Sequence, residues 1–204
     1  MCGSGTLHAM NDYAIAIWLW NGVEELDFAG PYEVLTAWSR AVAAERTITV
    51  RTVAASLEPV TCSHGLRVLP DVSLAEAGDV DLFIHPGGQV GALLEDGAFL
   101  AHLEERAART LMASVCNGAL VYARAGLLTD RPAATHWSAV DALRELGANV
   151  DPDARFVDDG TVVTSAGVSA GIDMALHLVA RLDSDEMAAT IRRYIQYEPS
   201  AAVQ

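Results

Sequence analysis

The sequence predicts an α/β fold: a three-layer sandwich with a mostly parallel sheet and helices on both faces. Three observations carry that prediction. Strand-like and helix-like stretches alternate from residue 13 into the C-terminal tail, as they do where crossover helices join parallel strands. The strand-like stretches are short, nearly unbroken apolar runs, the pattern of strands covered on both faces. The length of 204 residues, 51% hydrophobic and 20% charged, suits one globular domain with a sizeable core and argues against disorder.

Each element has its own local reason. YAIAIWLW at 13–20 is apolar and stops at Asn21-Gly22, so it reads as a buried strand. Pro31 opens a helix, PYEVLTAWSRAV, at the tolerated first-turn position. ITVRTVAA at 48–55 is β-branched and strand-like. VDLFIHPGG at 80–88 is a further buried strand running into a glycine turn. Residues 90–108 read as a helix, with Leu93, Leu94, Leu100 and Leu103 on one side. LMASVC at 111–116 is a strand that stops on a cysteine, and NGALVYARAGLL at 117–128 continues as a helix closed by Gly126. Ala133 to Thr135 is a short strand, and Trp137 to Leu146 a helix before Gly147. Phe156-Val157 and Thr161 to Ser165 flank Asp159-Gly160, a two-residue hairpin signal. Helices over Gly171 to Leu182 and around Glu186 to Tyr197 complete the chain. No internal repeat or linker interrupts this order. Residues 11–204 are therefore read as one domain, and MCGSGTLHAM at 1–10 as a cloning remnant or disordered N-terminus ahead of a native Met10.

Charge and cysteine content narrow the chemistry. The 13 basic residues are all arginine against 27 acidic ones, giving a net charge of −14. Without lysine there is no Schiff base, pyridoxal phosphate anchor or P-loop phosphate ligand. A field this negative repels phosphate backbones, so nucleic acid is not an expected partner. The apolar run Tyr13 to Trp20 is far short of the roughly 20 residues that cross a bilayer. No leader with a basic stretch and an apolar core precedes it, so no membrane partner is expected. Cys2, Cys62 and Cys116 are too few for a disulfide framework and form no CxxC pair, which fits a reducing cytoplasm and gives no sign of a zinc site.

In open α/β sheets, sites form at the carboxyl ends of strands. Three such ends carry unusual residues: Glu24 to Pro31, His85-Pro86-Gly87-Gly88, and Ser114 to Ala119. Cys116 occupies the position of a nucleophile elbow, with Gly118 leaving room for the turn. The helix after it aims amides and a positive dipole end at the sulfur, which is expected to lower the thiol pKa. The opposing possibility is a buried structural cysteine. Gly87 and Gly88 would let backbone N–H groups approach an anion, or simply form a tight turn. His136, in Ala134-Thr135-His136-Trp137, either faces the cysteine or caps and packs.

LDFAGPYEVL, DLFIHPGG, SVCNGALVYARAGLL, ATHW and TSAGVSAGIDMALHLVARL together resemble the ThiJ/PfpI superfamily, relatives of the class I glutamine amidotransferases. The resemblance spans residues 13 to 182 and implies a flavodoxin-like fold. It is greatest to isonitrile (isocyanide) hydratases and to the sensor domains of AraC-like regulators. It implies Cys116 as nucleophile, Asp27 as catalytic carboxylate, and Gly87 and Gly88 as the glycine-turn amides, with Asn117, His136 and Trp137 as further substrate-binding candidates. It implies a homodimer acting on a small-molecule substrate with no cofactor and no metal. The hydratase elbow reads Cys-Thr-Gly where this chain has Cys116-Asn117-Gly118, and an amide cannot relay a proton as a hydroxyl can. The peptidase-like branch, with glutamate and Cys-His-Gly, fits less well still. The expected activity is cysteine-dependent hydration of an isocyanide to an N-formamide. The alternatives are another small substrate of specialised metabolism at the same Cys/Asp site, or a ligand sensor. A sensor of the regulator type would carry a helix-turn-helix region, and only about 20 residues follow Leu182.

Overall fold

The computed structural model describes residues 12–198. Cys2 and the stretch at 1–10 read as a cloning remnant or disordered N-terminus lie outside the described residues. In chain order the strands are β1 (Tyr13–Trp18), β2 (Ile48–Ala54), β3 (Val60–Thr61), β4 (Arg67–Val68), β5 (Val72–Ser73), β6 (Leu82–His85), β7 (Leu111–Val115), β8 (Pro132–Ala133), β9 (Asn149–Val150), β10 (Phe156–Asp158) and β11 (Val162–Ser165). The helices are α1 (Glu25–Ala41), α2 (Gly97–Ala107), α3 (Gly118–Arg124), α4 (Val140–Glu145), α5 (Ala170–Leu182) and α6 (Asp185–Tyr194).

Seven strands form one sheet in the order β10-β11-β7-β6-β1-β2-β5, and only β10 runs antiparallel, through its hairpin with β11. The alternation of β1 explains its unbroken apolar run. Ile15 and Ile17 face a core made with Leu35, Trp38 and Met174 of α1 and α5, while Ala16 and Trp18 face a second core with Leu103, Tyr122 and Leu143. The three-layer α/β reading therefore holds. Because β1, β6 and β7 are adjacent and parallel, their carboxyl ends bring three distant chain segments to one edge.

Several boundaries differ from the sequence expectation. The first helix begins at Glu25 rather than at Pro31, because Glu24 is extended (φ −73, ψ 129) and the chain turns helical directly after it. Pro31 consequently lies inside α1, where its missing N–H leaves the Asp27 carbonyl without its helical donor. The stretch 90–108 is a short 3-10 turn over Val90–Ala92 and then α2, whose start is set by the Asp96 carboxylate accepting from Phe99 N–H at 3.0 Å. The helix after Cys116 stops at Arg124, with Gly126 at φ +77 beyond it. The expected strand near 133 does not join the main sheet; β8 pairs in parallel with β9 instead. The Asp159-Gly160 hairpin is present, with Gly160 at φ +98. No helix among the described residues is long and apolar enough to cross a membrane.

Candidate active site

Asp27 sits in the first turn of α1 with its side chain wholly buried. Its Oδ2 accepts the Gly87 N–H at 2.9 Å, and its buried Oδ1 has no partner among the described residues. Burial pushes the carboxyl up to about 7; the Gly87 N–H pulls it down, and the nearby Glu24 charge pushes it further up.

Cys116 follows β7 at φ +60, a left-handed conformation that is strained for any residue with a Cβ. The strain is held from both sides. Its N–H donates to the Ser165 carbonyl at 3.1 Å, and its own carbonyl accepts from the Thr135 hydroxyl at 2.8 Å. Gly118 is required next in line: a Cβ there would lie 2.6 Å from the Pro86 carbonyl oxygen. The elbow geometry expected from the sequence is thus present, but its expected electrostatics are not. The thiol is pushed up to about 12, first by burial and then by the Asp27 charge, against a pull from the Asn117 N–H. A seven-residue α3 does not outweigh a buried carboxylate in contact with the sulfur.

The glycine turn between them is crowded. A Cβ on Gly87 would meet Asp27 Oδ2 at 2.7 Å and Cys116 Cβ at 2.8 Å, and would collide with Asn117 Oδ1. Gly88, at φ +129, is clamped by the Asn117 amide: Oδ1 accepts its N–H and Nδ2 donates to its carbonyl, both at 2.9 Å. These bonds correct two expectations. The Gly87 and Gly88 amides are not open donors for an anion, because Asp27 and Asn117 already occupy them. The Asn117 amide is engaged on backbone, so it does not stand free to hold a substrate carbonyl.

His136 takes the capping role, one of the two the sequence left open. Its Nδ1 accepts from Ser138 N–H at 3.3 Å as a cap, while its ring edge lies against Gly167. Gly167 is the close neighbour that sequence reasoning missed: a Cβ there would lie 3.0 Å from Cys116 Sγ and 3.1 Å from His136 Cγ. Its signal is the glycine that follows β11 within Thr164-Ser165-Ala166-Gly167. Trp137 lies at the surface, 79% exposed, with its ring 5.3 Å from that of His136.

The donor set at the sulfur is a thiol and a carboxyl, with no metal-ligand grouping around them among the described residues. Elsewhere Glu24, Glu25 and His64 bring one ligand atom each within 4.8 Å of one another, with His64 Nδ1 and Glu25 Oε2 already 2.9 Å apart. His64 comes from the β3–β4 turn some 40 positions away, so no local spacing announces the cluster.

Chemically, burial raises both groups, the Asp27 carboxyl to about 7 and the Cys116 thiol to about 12. Between those values Asp27 and Cys116 hold one proton between them. With that proton on sulfur the pair is a thiol beside a carboxylate; with it on Asp27 the pair is a thiolate beside a carboxylic acid. The site can therefore offer a nucleophile and an acid, then a base, from two atoms in contact.

Comparisons with known proteins identify the family. A model of the DJ-1/PfpI family matches residues 13–181. The chain is 37% identical over 188 residues to an isonitrile hydratase of Pseudomonas putida, covering 91% of this chain and 79% of that protein. It is 36% identical over 143 residues to the HTH-type transcriptional regulator GbdR of Pseudomonas aeruginosa, covering 68% of this chain and 38% of the regulator. A crystal structure of a ThiJ/PfpI family protein from Pseudomonas syringae superposes with a TM-score of 0.85 at 32% identity, covering 100% of this chain and 84% of that one. The chain belongs to the DJ-1/PfpI family.

Proposed function

We propose that this DJ-1/PfpI family member is a cofactor-free, cysteine-dependent hydratase that converts a small isocyanide to its N-formamide. The observation that carries the reading is the buried Asp27 carboxyl against a strained-elbow Cys116, two groups sharing one proton. The similarity to isonitrile hydratase supports the substrate class.

The steps balance on these two groups. Cys116 sulfur bonds to the terminal isocyanide carbon, and the shared proton passes to that carbon through Asp27. The product is a thioimidate, R–N=CH–S–Cys116. Asp27, now a carboxylate, takes a proton from water as the water oxygen adds to the same carbon, and hands that proton to the nitrogen. The C–S bond then breaks, the hydroxyl proton leaves through Asp27 to the departing sulfur, and R–NH–CHO is released with Cys116 again a thiol. The reading assumes a homodimer in a reducing cytoplasm, where Cys62 and Cys116, both free here, stay reduced.

A second reading rests on Asn117: with no hydroxyl beside Cys116, the same pair would act on a different small electrophilic carbon. One experiment tests the first reading. Wild-type protein incubated with cyclohexyl isocyanide should form the N-formamide, and Cys116→Ala should not. No formamide above the uncatalysed rate from folded wild type would overturn it in favour of the second.

A further inference from the structure

His85 ends β6 directly beneath the site, wholly buried among Trp20, Phe99 and Tyr122, with ring centroids 4.9, 5.9 and 5.7 Å away. The reading above gives it no part. Its Nδ1 lies 2.7 Å from the Pro86 carbonyl oxygen, which can only accept, so Nδ1 carries the hydrogen. Its Nε2 is then a bare acceptor, and it has no donor among the described residues. A buried histidine with an unsatisfied nitrogen is unfavourable unless its other nitrogen contributes something.

The Pro86 carbonyl and the Gly87 N–H belong to one peptide group, and no peptide bond here is cis. The carbonyl and N–H of that plane therefore point opposite ways. One end accepts from His85; the other donates to Asp27 Oδ2 at 2.9 Å. Hydrogen bonds in such a chain polarise one another, and the first fixes the direction of the second.

We infer that His85 is a positioning residue: its Nδ1–H holds the Pro86–Gly87 peptide so that the Gly87 N–H aims at Asp27. It touches neither substrate nor sulfur. It acts through one peptide plane on the carboxyl that shares a proton with Cys116, and so rests on the Cys116–Asp27 reading. Burial holds its ring neutral down to about 4, so the bond persists through the range in which Asp27 titrates. The ionisable groups facing Asp27 are Glu24 ahead of its helix and Cys116 on the elbow; Tyr122 of α3 faces His85. Gly118 also crowds the Pro86 carbonyl and is the competing explanation for its fixed orientation.

The test is the pH profile of Cys116 alkylation by iodoacetamide, followed by mass spectrometry. Wild type should lose reactivity below about pH 7, where the Cys116–Asp27 pair takes up its second proton, and Asp27→Asn should abolish that acid limb. His85→Phe keeps a ring in the aromatic cage and removes the donor; His85→Leu is the second variant should the phenylalanine disturb folding. Either should move the acid limb upward by about half to one pH unit, lowering the rate at pH 6.5 about three- to tenfold. His85→Asn places an amide N–H where Nδ1 stood and should return the limb to its wild-type position. A limb unmoved by His85→Phe or His85→Leu overturns the inference, leaving the turn fixed by Gly118. So does a limb moved equally by the asparagine. A wild type with no Asp27-dependent limb removes the Cys116–Asp27 reading itself, and the inference with it.

Discussion

At the scale of single residues the site turns on which groups are already satisfied. Asp27→Asn keeps the shape and the Gly87 bond while removing the acid, so isocyanide turnover should fall by about 10² to 10⁴-fold, measured as kcat/KM. Asn117 is a different case. Its residue type suggests two directed bonds to a substrate, yet both are made to Gly88. Replacing it with threonine should therefore slow the wild-type reaction, because half of the clamp is lost, rather than accelerate it by supplying a hydroxyl. A rate for Asn117→Thr above that of wild type would show that the hydroxyl outweighs the clamp. Gly167→Ala gives the steric counterpart: a methyl 3.0 Å from the sulfur, colliding with the His136 ring, should raise KM and slow alkylation of Cys116.

At the scale of elements, α2 and α6 start on side-chain caps whose contributions are measurable. Asp96 sets the start of α2 through one bond to Phe99 N–H, so Asp96→Ala should cost about 1 kcal/mol in chemical denaturation and leave the Cys116 alkylation rate unchanged. The same scale shows what the sequence makes legible. The central strands are evident from their apolar runs because both faces of the sheet are covered, and the Asp159-Gly160 hairpin from its turn chemistry. Two-residue pieces such as β8 and β9 have no periodicity to detect, and they pair only because the chain returns at residue 149. The true start of α1 is hidden by Pro31, whose local preference for a first turn is overridden by packing. Cys116 and Asp27 are legible from strand ends and resemblance. The roles of Gly167 and His85 are not, since Gly167 matters through segments 31 and 51 positions away and His85 through the Gly87 bond to Asp27.

At the scale of the whole molecule, the site should trade against stability. Asp27 is raised from 3.8 to about 7, so the folded state binds a proton that the unfolded state has released. Stability contributed by this group therefore falls as pH rises from about 4 to 7, by an amount on the order of a few kcal/mol. His85, lowered from 6.5 to about 4, acts in the opposite sense: stability rises with pH over that window as the unfolded state gives up its extra proton. Asp27→Asn removes only the first slope. It should be more stable than wild type at pH 8, and the advantage should shrink toward pH 4 in urea titrations. An equal difference at both pH values would mean that Asp27 is not held neutral by the fold.

The central claim is that the isocyanide carbon bonds to Cys116 before water arrives. Intact-protein mass spectrometry of acid-quenched samples, taken while cyclohexyl isocyanide is turning over, tests it most directly. The account predicts an adduct of one isocyanide mass in the wild-type protein, mapping to Cys116 and absent from Cys116→Ala. Formamide production with no adduct in the wild-type protein, or an adduct that maps to Cys62, would contradict it.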